Sequence, residues 1–134
     1  MKNSLSNILP FLLAADLIIP FLLAPTYKGY HHSTQVMSVL GNAKAPLHLI
    51  YNIWLVIFGV AILISTLQLY PTVVRASSVI SILLISVIAI YAIGGCILSG
   101  IFSVGETKSL ETLSAKIHGY GSVAGFSLLT LAPL

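Results

Sequence analysis

The feature that most constrains this chain is a spacing: four stretches of about twenty residues are nearly free of charge, and polar segments divide them. They run from Leu5 to Ala24, Leu47 to Tyr70, Val79 to Phe102 and Ala115 to Leu134. At ~1.5 Å of rise per residue each is about as long as the ~30 Å hydrocarbon core of a bilayer is thick. A segment in lipid must satisfy its own backbone N–H and C=O groups, so runs of this kind are helical. The reading is therefore all-α: a polytopic transmembrane helical bundle of four spans, forming a single integral membrane domain over residues 1–134. A charged share of only 7% supports it, since soluble domains carry about a quarter.

The same scarcity of charge excludes some functions. Six Lys or Arg residues, scattered against three acids, form neither a nucleic-acid surface nor a polybasic membrane patch. The partner indicated is the lipid bilayer, and no nucleic acid is expected. Cys96 is alone, so no disulfide forms within the chain, and inside an apolar helix it reads as a small packing residue. Leu22-Leu23-Ala24 followed by Pro25 is poor cleavage grammar for a signal peptide, so the first run is kept as a span.

Polar groups inside the spans point to where a site would lie. Asp16 stands near the middle of span 1, where an ionisable side chain must face the bundle or a wet cavity. Pro20 lacks the N–H that would bond the Asp16 carbonyl, so carboxylate and freed carbonyl share one turn, as a proton, ion or ligand contact or as a bond to another span. In span 2, His48, Asn52 and Gly59 fall on one face, with Trp54 and Phe58 on another flank suited to lipid or packing. Tyr70-Pro71 is expected to end that span.

Segment 25–46 is a polar loop whose Val36, Met37, Val39 and Leu40 predict a short helix on the bundle mouth or in the interface. The adjacent His31 and His32 have a poor spacing for one metal ion and read as interfacial or solvated. Segment 103–114 is a short loop whose Glu106, Lys108 and Glu111 read as solvated charges.

Spans 3 and 4 meet through small residues. Gly95 with Ser99, and Cys96 with Gly100, repeat at the spacing that lets membrane helices approach closely, and His118 shares a face with Gly121, Ser122 and Gly125. His118 is thus expected to be buried between spans and bonded to Asn52, Ser99, Asp16 through a water, or Glu106. Measured from the loop side, His48 and His118 lie within about a turn of the surface, Asn52 about 7 Å down and Asp16 about 12 Å down. A metal would need His48, His118 and either Asp16 or Glu106; no ligand motif with local spacing supports this, so no metal is expected and the sequence specifies no cofactor.

Taken in order, several short motifs resemble a known family. Pro25-Thr26-Tyr27, Met37 to Gly41, Ala45-Pro46 followed by Asn52 and Gly59, Gly100-Ile101-Phe102 and His118 are similar to the bacterial and archaeal membrane proteins catalogued as domain of unknown function 998. The resemblance covers nearly the whole chain. It implies a polytopic helical membrane protein, typically of six spans, with an uncharacterised role, and this chain would be a short or truncated member. It departs from the family after Phe102, reading Ser103-Val104-Gly105-Glu106 where a Pro and an Asp are usual. The resemblance also implies an N-terminus inside, and we follow it over the weak lysine count, which would put the two longer loops in the cytoplasm.

Together these readings predict a multi-pass protein of the cell membrane. Its candidate ligand-binding residues are Asp16, Asn52, His48, His118 and Ser99, holding a lipid-like or apolar small molecule near the loop-side mouth. Two alternatives stand beside this. One is an accessory subunit with a membrane-protein partner or a homo-oligomer; the other is a membrane enzyme or proton-coupled transporter using Asp16 and His118.

Overall fold

A computed structural model of the chain describes residues 4–75, 77–105 and 109–131. Among them all regular structure is helical: α1 (Ser4–Leu23), α2 (His48–Val73), α3 (Ser78–Ile101) and α4 (Leu113–Leu129). Three segments, Ile8–Thr26, His48–Val73 and Ser78–Ile101, are long and apolar enough to cross a membrane. Such a set is the mark of an integral membrane bundle. The 17 residues of α4 give it a length of about 25 Å. It starts at Leu113 because the Thr112 hydroxyl accepts the Ala115 N–H at 3.1 Å, capping the first turn.

Two boundaries differ from the sequence expectation. Helix α2 runs through Pro71 to Val73, because a proline this near the end removes a single helical donor and its fixed φ suits the helix; the Val74 N–H then closes on the Tyr70 carbonyl at 3.0 Å. The loop helix expected around Val36 to Leu40 is a 3₁₀ turn, Met37–Gly41, whose Val39 and Leu40 are buried at the bundle mouth. There they pack with Leu23, Tyr30, Tyr51 and Leu55.

Helix α3 is not a regular α-helix throughout. From Tyr91 to Ile97 it widens into a π-helical stretch, a form that shifts the facing of all residues beyond it. The Ser99 hydroxyl supports the wide turn by donating to the Gly94 carbonyl, five residues back, at 3.1 Å. The small residues divide between two neighbours instead of lining one face. Gly94 and Gly95 turn to α4: a Cβ on Gly94 would land on the Gly121 carbonyl, and one on Gly125 would come within 3.0 Å of the Tyr91 Cα and 3.1 Å of the Gly95 nitrogen. Ala92, Cys96 and Gly100 turn to α2, where a Cβ on Gly59 would sit 2.8 Å from the Ala92 carbonyl oxygen and one on Gly100 2.5 Å from that of Asn52.

The helices consequently pack in a row, α1 on α2, α2 on α3 and α3 on α4. A second core of Phe58, Ile62, Ala92 and Cys96, flanked by Leu9, Leu12 and Trp54, ties the first three together. At the loop end the Asn42 side chain donates to the Val104 carbonyl at 2.8 Å and the Ser114 hydroxyl to the Ser103 carbonyl at 3.0 Å, joining the two loops to each other and to α4.

The close approach of α3 and α4 is testable by adding bulk. Gly94→Val should destabilise the bundle by about 1–3 kcal/mol, because the Gly121 backbone cannot move aside as a flexible side chain would. Gly105→Ala, where a Cβ meets nothing within 4 Å, is the control and should stay within about 0.5 kcal/mol of wild type. Denaturation of both variants in non-ionic micelles decides it; a Gly94→Val protein as stable as wild type would refute the contact.

Candidate functional site: a trough between α1 and α4

Because α1 rests on α2 and α4 rests on α3, the two outer helices flank a trough that α2 and α3 floor. Its volume is about 1090 Å³. Asp16, Leu17, Pro20 and Phe21 form one wall, and His118, Ser122, Val123 and Phe126 are prominent on the other. Tyr51, Leu55, Tyr91 and Ser99 face it from the floor, and the loop residues His32 and Gln35 to Ser38 cover its end.

Of the candidates named from sequence, Asp16, Ser99 and His118 line this one space. Asp16 accepts the Trp54 indole N–H at Oδ1, 3.0 Å away. Trp54 therefore belongs to the polar interior as well as to packing: its ring stacks on Phe58, centroids 5.9 Å apart, while its N–H meets the carboxyl across the α1–α2 contact. No local pattern could announce this bond, since its partners are 38 residues apart.

Ser99 joins α3 to α4. Having given its own proton to the Gly94 carbonyl, its oxygen accepts the Ser122 hydroxyl at 2.8 Å. His118 is buried, as expected, but its acceptor is a backbone group: Nδ1 donates to the Phe102 carbonyl at 2.8 Å. Phe102 caps the C-terminus of α3 in an extended conformation, so its carbonyl lies outside the helical ladder and takes a side-chain donor. A carbonyl can only accept, which fixes a proton on Nδ1. Glu106, the loop acid named as another possible acceptor, lies outside the described residues.

Asn52 and His48 are not among the trough residues. Asn52 follows Tyr51, which faces the trough, and the ~100° step of the helix carries it round to the Met37–Gly41 turn, where its amide donates to the Gly41 carbonyl at 3.1 Å. A Cβ on Gly41 would collide with the Asn52 side-chain oxygen, so this turn is fitted closely over α2. His48, the first residue of α2, folds back so that Nδ1 donates to the Ala45 carbonyl at 2.7 Å. The distribution of these side chains leaves no three His, Cys, Asp or Glu residues in reach of one metal ion among the described residues.

The loop adds residues that the sequence reading left as solvated or unassigned. The Tyr30 hydroxyl and His32 Nδ1 are hydrogen-bonded at 3.1 Å, and the His32 ring packs on Phe21 with centroids 4.3 Å apart. Burial raises the Tyr30 phenol above its ordinary value, so it stays protonated at neutral pH. His31, by contrast, is exposed.

Two measurements probe these bonds. Trp54 is the only tryptophan in the chain, so its emission reports on Asp16 directly. Asp16→Leu should shift the emission spectrum, and Asp16→Asn, which retains an acceptor oxygen, should shift it less; identical spectra in all three proteins would mean that the indole and carboxyl do not meet. His118→Ala should cost about 1–3 kcal/mol by stripping the part-buried Phe102 carbonyl of its donor. His118→Asn, whose amide can occupy the place of Nδ1–H, should recover part of that loss in the same denaturation assay, and equal losses would assign the cost to packing alone.

Neither a curated protein nor a solved structure matches the chain. A family model does, that of the proteins of unknown function DUF998, over residues 13–134. That stretch takes in both walls of the trough, its floor and its loop cover, and the chain belongs to this family.

Proposed function

We propose that this membrane bundle binds a lipid-like or other apolar small molecule in the trough between α1 and α4, within the cell membrane. The observation that carries this reading is the trough itself. Its volume of about 1090 Å³ is at or just above the range typical of small-molecule sites, roughly 300–1,000 Å³. Its surface is largely aliphatic and aromatic, with polar groups that include the Asp16 carboxyl, the Ser99–Ser122 hydroxyl pair, the His118 imidazole, and His32, Gln35 and Ser38 at the loop end. That is the composition of a site in which apolar contact supplies affinity and a few hydrogen bonds set orientation. A ligand could enter sideways from the bilayer, between two helices that each pack on an inner helix.

The test is native mass spectrometry of protein purified in mild non-ionic detergent, with lipidomic analysis of what it retains. Wild type should carry an apolar adduct at near-stoichiometric occupancy. Leu17→Trp and Val123→Trp, which place bulk on the two opposite walls at exposed positions, should each lower retention by about tenfold or more. Absence of any adduct, or an adduct indifferent to both substitutions, would overturn the reading. A co-purifying membrane protein whose release depends on the same two substitutions would assign the trough to a subunit contact instead.

A further inference from the structure

We infer that the trough selects an amphiphile carrying a single positive charge, an alkylammonium-type head on an apolar body, with Asp16 as its counter-ion. This rests on the reading of the trough as a ligand site and adds the chemical class of the ligand.

The argument begins with charge. Among the described residues, Asp16 is the only acid lining the trough, and no lysine or arginine lines it. A carboxylate at membrane depth is costly unless it is neutralised or paired with an opposite charge. What the protein supplies to it is one neutral donor, the Trp54 N–H on Oδ1. That bond holds the carboxyl in place without cancelling its charge, and Asp16 remains among the residues that border the open space. An incoming cation would complete the pair.

The surroundings of the carboxyl favour an organic cation over a metal ion or a hydrated one. Tyr51, Tyr91 and Cys96, on the floor, line the same space as the Asp16 carboxyl. The rings of Phe21, Tyr51, Tyr91 and Phe126 all border the space, and Tyr91 and Phe126 meet edge to face with centroids 5.3 Å apart. Aromatic faces in a space that also holds a carboxyl attract ammonium heads through their quadrupoles, and they cannot replace the oxygen ligands that an alkali or alkaline-earth ion demands. The aliphatic remainder, with Leu17, Leu55 and Val123, suits the hydrocarbon portion of the same molecule.

Matched probes of equal chain length test this in dodecyl maltoside micelles at pH 7: dodecylamine, which is protonated there, and dodecanol. Trp54 emission is the readout, because its indole touches the carboxyl that would pair with the head group. Wild type should bind the amine saturably and at least about tenfold more tightly than the alcohol. Asp16→Asn, which keeps the oxygen that Trp54 bonds, should bring the two affinities within about twofold of each other, and Asp16→Glu should retain most of the preference. Equal affinity for amine and alcohol in wild type, or a preference undiminished in Asp16→Asn, would overturn the inference while leaving the trough as a ligand site. Saturable binding of neither probe, in protein that also retains no adduct by mass spectrometry, would remove both.

Discussion

The close backbone approach of α3 to its two neighbours is the contact on which the remaining architecture depends. Between helices in lipid there is no hydrophobic gain from association, since the tails are as apolar as the side chains they replace, so close packing and hydrogen bonds must hold the bundle. The chain meets this by omitting side chains where backbones touch: Gly94 against Gly121, Gly125 against Tyr91 and Gly95, Gly59 against Ala92 and Cys96. Within two turns that include the π-helical stretch at Tyr91–Ile97, one helix presents glycines to α4 and small residues to α2.

That row-like packing creates the trough. Helix α1 rests mainly on α2 and the loop turn, and α4 mainly on α3, so a space stays open between the outer helices. Its loop end is closed by short polar bonds. Asn42 reaches Val104, Ser114 reaches Ser103 and His118 reaches Phe102, each side chain occupying a backbone carbonyl at an irregular part of the chain. Irregular backbone next to a membrane needs such partners, because water is scarce and an unbonded carbonyl is costly. His118 is thus a structural donor at the end of α3 as well as a wall of the trough, and these roles are compatible because the imidazole has two nitrogens and two faces.

The family match makes a description of this trough useful beyond one chain, since residues 13–134 fall within a family of unknown function. The carboxyl of Asp16, held by Trp54 from the next helix, is the feature that gives the space a chemical identity. An apolar groove alone accepts many occupants.

By itself the sequence determined the helical class, the four helical segments, of which three are long and apolar enough to span a membrane where four spans were expected, and the family, because each follows from length, hydropathy or motif order. It could not give what depends on facing between distant segments. Asn52 and His48 shared a plausible polar face with Gly59, yet the Met37–Gly41 turn and the Ala45 carbonyl took them, because a short-range polar partner at the end of a helix wins over a distant one. Trp54 read as a packing residue and became the donor to Asp16, a pairing across 38 residues that no periodicity encodes. The division of the small residues between α2 and α4 was likewise decided only in three dimensions: a π-helical turn changes the angular step for everything beyond it, and Gly94-Gly95 permits that turn without announcing it.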